Sequence, residues 1–169
     1  MTTLIPASAP AITATAEDFR RAFRAHPAAV VIITTDGGSG PAGFTATSLT
    51  SLSLTPPLVS FALATNSSSW PHVRDATGAV VHFLADEHEG LATRFATSGI
   101  DRFAAPTRFT RLPGGEPVLD GVAGWLYLDI EARVPAGDHH LVIGRVRQVN
   151  TETAYQPLVY HAGAYRTLD

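Results

Sequence analysis

The sequence contains neither cysteine nor lysine. Without cysteine the protein forms no disulfide, no thiolate metal site and no cysteine nucleophile. Without lysine it cannot form the lysine Schiff bases used in one kind of covalent catalysis. All twelve basic residues are arginine, so bidentate contacts to phosphate remain available.

Positive charge is in slight deficit, with fifteen acidic against twelve basic residues and a net charge of -3. This balance argues against a general binder of nucleic acid or of anionic membranes, because such proteins are basic. No apolar run approaches the ~20 residues that cross a bilayer, and the first fourteen residues lack the pattern of a signal peptide. We therefore expect a cytoplasmic protein with no nucleic-acid partner and no membrane partner.

The chain has 169 residues, 45% of them hydrophobic, which fits one folded domain. Residues 1–14 consist largely of Thr, Ala, Pro and Ser and are predicted to form a flexible tail. Residues 15–169 are predicted to form a single domain.

The pattern along this domain is mainly β with short helices. Apolar strands are expected at 28–35 and 58–64, and helices are expected to begin near Thr15, Trp70 and Asp86. Residues 98–115 are predicted to be an irregular loop. Six or more strands, mostly joined by hairpins, favour an antiparallel barrel over a doubly wound parallel sheet.

A stretch rich in hydroxyls, residues 43–54, lies between the two apolar strands. Six of its twelve residues are Ser or Thr, and we predict one strand over 42–54 because Thr favours extended backbone. Buried hydroxyls need hydrogen-bond partners. Either the neighbouring backbone or a bound polar ligand supplies them, and the pattern alone leaves both open.

Three other features could indicate a binding or metal site. The G-x-G-x-x-G spacing at 38–43 is interpreted as a turn, because no helix opens at its second glycine. Residues 65–69 precede a helix and predict either an anion site or a plain N-cap. The seven histidines show no metal-ligand spacing, so no metal is expected; His139 and His140 follow a Gly-Asp turn and would point to opposite faces of a strand.

Seven stretches in order resemble the short-chain flavin reductase family, whose fold is the FMN-binding split barrel. They read V-V-I-I-T-T at 30–35, G-F-T-A-T-S at 43–48, S-L-S-L-T-P-P-L-V at 51–59, N-S-S-S at 66–69, L-A-T-R-F-A at 91–96, G-D-H-H with I-G-R-V at 137–140 and 143–146, and Y-H-A-G-A-Y-R at 160–166. Two positions depart from the family pattern: Thr55 stands where Asp is frequent, and Arg102 stands where Lys is common.

The resemblance implies an antiparallel six-stranded Greek-key split β-barrel and an NAD(P)H-dependent flavin reductase. Such an enzyme passes a hydride from NADH or NADPH to FMN or FAD, is a homodimer, and supplies reduced flavin to a partner monooxygenase. The implied flavin-binding residues are Thr45, Ala46, Thr47, Ser48, Ser51, Ser60, Phe61, Ala62, Asn66, Ser67, Ser68, Arg94 and Phe95. The implied NAD(P)H-binding residues are His139, His140, His161 and Tyr165.

No strong acid, base or nucleophile is evident, which agrees with a reaction carried by cofactors. His139 is expected to position the nicotinamide cofactor, and no catalytic residue is assigned with certainty. Two alternatives remain on the same barrel: a non-catalytic module that binds flavin or haem, and an oxidase that retains its flavin, related to pyridoxamine-phosphate oxidase.

Overall fold

The computed structural model describes residues 14–151 and 154–168. The predicted tail therefore lies outside the described residues, apart from Ala14. The described residues form three α-helices, α1 (Ala16–Arg24), α2 (Trp70–Asp75) and α3 (Glu89–Ala96), and a 3-10 turn (Asp86–His88) leads into the third. The strands are β1 (Ala28–Ala29), β2 (Val31–Asp36), β3 (Pro41–Ala46), β4 (Thr50–Leu54), β5 (Pro57–Ala64), β6 (Gly78–Phe83), β7 (Phe109–Arg111), β8 (Pro117–Leu119), β9 (Gly124–Ala136), β10 (His139–Thr151), β11 (Val159–His161) and β12 (Ala164–Arg166).

The main sheet has seven strands in the order β3-β2-β6-β9-β10-β5-β4, and every neighbouring pair is antiparallel. This confirms a mainly β fold with few helices, although the sheet has one strand more than the six expected. The sheet curls, because the rings of Phe44 on β3 and Phe61 on β5 lie 6.1 Å apart although five strand positions separate β3 from β5.

Two hydrophobic cores lie on opposite faces of β2. Val31 and Ile33 point into the interior of the curled sheet, whereas Val30 and Ile32 pack outside it against α3, Leu119 and Leu158. Successive side chains of a strand alternate between faces, so a strand covered on both sides is apolar throughout. This double burial explains the uninterrupted apolar run that the sequence shows at 30–33.

The single strand predicted over 42–54 is wrong. The chain forms β3 and β4 there, and these strands lie at the two opposite edges of the main sheet. Residues 47–49 carry the chain from one edge to the other, and Ser48 bonds to Ala62 of β5 on the way. Thr propensity for extended backbone is satisfied on both sides of this break, so propensity alone could not locate it.

Smaller differences have local causes. The first predicted strand is interrupted at Val30, whose N–H donates to the carbonyl of Leu158 instead. The second helix ends at Asp75 and Gly78 begins β6, where a Cβ would lie 2.5 Å from Oε1 of Glu116. The region predicted as irregular contains β7, which pairs with β8 in a separate hairpin.

The first helix begins as predicted. The hydroxyl of Thr15 accepts from the N–H of Asp18, and the Asp18 carboxylate accepts from the N–H of Thr15, which completes a capping box. No residue of α1 is buried against the rest of its own chain. None of the helices in the described part of the chain has the length and apolar content needed to cross a membrane.

Candidate functional site

A cleft of about 690 Å³ opens between the end of β3, the end of β5 and the end of α3. It contains ten of the residues that the sequence singled out: Thr45, Ala46, Thr47, Ser48, Ala62, Asn66, Ser67, Ser68, Phe95 and His139. Four separate stretches of chain, 45–48, 62–68, 95 and 139, are thus brought together at one place.

Hydroxyl groups line the β3 side of the cleft. Thr45 Oγ1 donates to the carbonyl of Ala92 at 2.6 Å, which ties β3 to α3. Ser48 Oγ lies 3.3 Å from the carbonyl oxygen of Ala62 and accepts from its N–H at 2.9 Å, which ties the segment after β3 to β5. Backbone therefore satisfies both hydroxyls, and these bonds fix the width of the cleft. Thr47, between them, is exposed.

One end of the cleft carries a positive charge. Arg102 is partly buried, and its Nη1 lies 3.0 Å from the carbonyl oxygen of Gly43, 3.3 Å from Ser69 Oγ and 3.5 Å from Ser68 Oγ. Burial lowers the pKa of Arg102 below its ordinary value, but a guanidinium stays protonated in proteins. Among the described residues Arg102 forms no salt bridge, so its charge is available to an anion.

Neutral donors surround this charge. Asn66, Ser67 and Ser68 line the same cleft, in the loop that leads into α2. The Ser69 hydroxyl instead donates to the carbonyl of Gly43 at 3.1 Å, and α2 has no side-chain cap bond at its start. This arrangement favours an anion site at residues 65–69 over the alternative prediction of a plain N-cap.

His139 lines the same cleft from the start of β10, where it pairs with Ala64 of β5. Its Nδ1 lies 2.7 Å from Oδ1 of Asp138. The hydrogen bond and the charge of His139 hold the pKa of Asp138 below its ordinary value, so Asp138 is a carboxylate and accepts from Nδ1–H. This contact leaves Nε2 of His139 to meet a ligand.

Seven of the residues singled out by the sequence do not line the cleft. Phe61 is fully buried in the interior core and Ser60 is buried beside it on β5, whereas Ser51 is exposed on the edge strand β4. Arg94 lies under the loop that carries Arg102. The remaining three, His140, His161 and Tyr165, lie elsewhere in the structure, and the roles predicted for all seven stay predictions.

His140, His161 and Tyr165 each lie away from the cleft, at three different places. His140 points away from His139, as adjacent strand residues do, and stacks on Trp70 with ring centroids 3.8 Å apart. His161 lines another cavity, of about 470 Å³, together with Arg20, Arg24 and other residues of α1. Tyr165 packs against the core under α3.

The cleft also contains residues absent from the predicted set: Phe44, Leu63, Ala64, Ala96, Ser98 and Arg102. Most follow from continuing along β3, β5 and α3 by one or two positions. In the sequence, Arg102 stands out only as a departure from the family pattern. Its position in a long irregular loop is the available signal, because ordered loops of that length are usually functional.

The arrangement suits a flat ligand that carries an anionic group. Uncharged groups and backbone line most of the cleft, and one guanidinium with four polar neighbours stands at one end. No carboxylate side chain lies in the lining described above, whose ionisable side chains are Arg102 and His139. The site is therefore equipped to bind and orient reactants rather than to attack them.

Comparisons with known proteins agree with this chemistry. A family model described as "Flavin reductase like domain" matches residues 23–169. An NADH:FMN oxidoreductase of Rhodococcus erythropolis is 47% identical over 154 residues, which cover 89% of this chain and 80% of that protein. A flavin-dependent monooxygenase reductase subunit of Rhodococcus jostii is 32% identical, covering 89% of this chain and 77% of the relative. The crystal structure of a flavin reductase domain protein from Arthrobacter sp. FB24 superposes with a TM-score of 0.86 at 38% identity, covering 90% of this chain and 95% of that one.

Proposed function

This chain belongs to the flavin reductase-like family, and from that membership and the cleft we propose that it is an NAD(P)H:flavin oxidoreductase. It transfers a hydride from NADH or NADPH to FMN or FAD. The observation that carries the proposal is a cleft with uncharged walls and Arg102 at one end. These are the groups needed by a flavin, which has a neutral aromatic ring and a phosphate.

The cofactors supply the chemistry, since a hydride passes directly from the nicotinamide to the flavin ring. The chain holds the reactants in place. Residues 45–48 and Ala62 would border the ring, whereas Asn66, Ser67, Ser68 and Arg102 would hold the phosphate. His139, fixed by Asp138, would contact the nicotinamide nucleotide through Nε2. Effective transfer requires reacting atoms about 3–3.5 Å apart, and the Thr45 and Ser48 bonds keep the walls in position for this.

We infer NADH and FMN as the preferred pair. The support is the name of the Rhodococcus relative, an NADH:FMN oxidoreductase, together with a single arginine in the lining, which matches the one phosphate of FMN. FAD and NADPH are the competing substrates.

The reduced flavin is released to a partner monooxygenase. Relatives named as reductase subunits of flavin-dependent monooxygenases support this.

A homodimer is proposed because α1 leaves Phe19 and Phe23 60% and 58% exposed. Closure of the sheet into a six-stranded split barrel is supported by the bond from β5 to Ser48 and by the packing of Phe44 on Phe61. We also propose that the protein is cytoplasmic and that residues 15–169 form one functional domain.

Purified protein mixed with FMN and NADH without oxygen tests the activity. We expect the absorbance of oxidised flavin to disappear at a rate set by the amount of protein. Replacing NADH with NADPH and FMN with FAD, in all four combinations, gives the preference. Failure to bleach either flavin with either nucleotide would overturn the proposal in favour of a non-catalytic flavin- or haem-binding module. A flavin that stays bound through desalting and is reduced by an amine would instead indicate the oxidase.

A further inference from the structure

The loop that presents Arg102 depends on another arginine. Arg94, in the last turn of α3, donates from Nε to the carbonyl of Arg102 at 3.1 Å. Its Nη2 lies 2.9 Å from the carbonyl oxygens of both Asp101 and Ala104. A fourth carbonyl oxygen, that of Ala105, lies 3.4 Å from Nη2. One guanidinium thus gathers four backbone acceptors from five consecutive residues, which fixes the path of the loop directly at the residue that reaches the cleft.

Two further contacts hold the same turn. The Asp101 carboxylate accepts from the N–H groups of Phe103 and Ala104, and the Thr107 hydroxyl donates to the carbonyl of Arg102 at 2.7 Å. The carbonyl of Arg102 therefore accepts twice, from Arg94 and from Thr107. These bonds fix the backbone around Arg102, and its side chain extends from there toward Gly43 and Ser68.

The Arg102 side chain is held in one orientation as well. Its Nε donates to the carbonyl of Thr97 at 3.1 Å, immediately after α3, and its Nη1 reaches Gly43 on β3. The guanidinium therefore spans the gap between α3 and β3 at the end of the cleft. Charged hydrogen bonds of this kind discriminate between ligands when the donor is already fixed.

We propose that Arg94 is a positioning residue that fixes Arg102 at the phosphate end of the cleft, so that the pair selects a phosphorylated flavin over riboflavin. This inference rests on the proposed function, because it takes a flavin as the ligand. Arg94 does not line the cleft. It acts through the loop backbone, and its loss releases Arg102 without removing any group from the cleft.

A double-mutant cycle with two flavins tests this. The variants are Arg94→Ala, Arg102→Ala and the double replacement, each assayed with FMN and with riboflavin, which has the same ring and no phosphate. Arg108→Ala is the matched control, because it removes an exposed arginine a few residues further along the chain that does not line the cleft. Binding of each flavin without NADH is measured in parallel, by quenching of flavin fluorescence.

We expect Arg102→Ala to raise the KM and Kd for FMN roughly ten- to a hundredfold, the effect of losing a charged hydrogen-bond donor. Arg94→Ala should raise them roughly tenfold, with kcat and the riboflavin KM changed less than about twofold. In the Arg102→Ala background the Arg94 replacement should have almost no further effect, because residues that act as a unit are not additive. Arg108→Ala should change nothing.

The proposal fails if Arg94→Ala weakens riboflavin as much as FMN, or if its effect adds in full to that of Arg102→Ala. It also fails if the wild-type protein does not prefer FMN to riboflavin. Should Arg94→Ala not fold, Arg94→Lys replaces it, with an expected intermediate loss of FMN preference because an ammonium is a point donor and lacks the planar fork that reaches these carbonyls from Nε and Nη2 together. Absence of flavin reduction in a wild-type protein that still binds FMN through Arg102 would overturn the proposed function and leave the positioning role standing.

Discussion

At the scale of single residues, His82 is the titratable group with the most restrictive surroundings. Its ring is fully buried between β2 and the residue that ends β8. Nδ1 donates to the carbonyl of Ile32, and Nε2 accepts from the N–H of Leu119, both at 3.0 Å. Burial lowers the pKa of His82 from 6.5 to about 4, although the bond to Ile32 opposes this shift. The folded protein therefore holds a neutral imidazole.

This predicts a loss of stability in mild acid. The contribution of His82 is fully present above the unfolded pKa of 6.5, because the ring is then neutral in both states. It decreases as pH falls from 6.5 toward 4, because only the unfolded state takes up the proton. A pKa difference of this size corresponds to roughly 3 kcal/mol of unfolding free energy, to be measured by urea denaturation between pH 7.5 and pH 4.

His82→Gln is the control, since an amide can donate and accept but does not titrate in this range. We expect the variant to be less stable than the wild type at pH 7.5, with a smaller gap at pH 4.5. A gap that stays constant across the range would show that His82 does not carry the pH dependence.

At the scale of elements, we expect alanine to have opposite effects on stability at two glycines. A Cβ on Gly43 of β3 would lie 2.8 Å from the Phe95 ring and 3.0 Å from the carbonyl oxygen of Ile33. A Cβ on Gly90 of α3 would meet nothing within 4 Å. Gly43→Ala should cost about 1–3 kcal/mol of unfolding free energy through overpacking and should displace Phe95 into the cleft. Gly90→Ala should add about 0.4–1 kcal/mol.

Thermal unfolding and FMN titration of the two variants check this pair. Gly43→Ala should lower both the melting temperature and the FMN affinity, whereas Gly90→Ala should raise the melting temperature and leave the affinity unchanged. Equal melting temperatures for the two variants would contradict the assignment of Gly43 to a close contact between β3 and α3.

The sequence predicted the starts of α1 and α2 and the strands β2 and β5 because their signals are local. The Thr15 capping box and the apolar run of β2 belong to one segment each, and the ten cleft residues lie in segments whose order the family pattern preserves. The break between β3 and β4 could not be predicted, because it depends on which sheet edge each strand joins. The role of Arg102 was missed for the same reason: its partners lie on β3 and α3, and only the folded chain brings them together.

At the scale of the whole molecule, contacts within one chain do not account for the stability of α1. It has nine residues and buries none of them, and a helix this short is marginal without tertiary packing. Phe19 and Phe23 lie on one face with ring centroids 4.5 Å apart, beside the exposed Tyr160. The proposed second copy of the chain would cover this aromatic face.

The oligomeric state measured by light scattering after gel filtration tests that assignment. We expect the wild-type protein to be a dimer and Phe19→Asp/Phe23→Asp to be a monomer, because two carboxylates cannot be buried unpaired at an interface. Val149→Asp is the control, since Val149 on β10 is as exposed as Phe23, at 58%, and lies outside α1; this variant should remain dimeric. A wild-type monomer would refute the dimer itself, and a dimeric double variant would show that two copies meet through a surface other than α1.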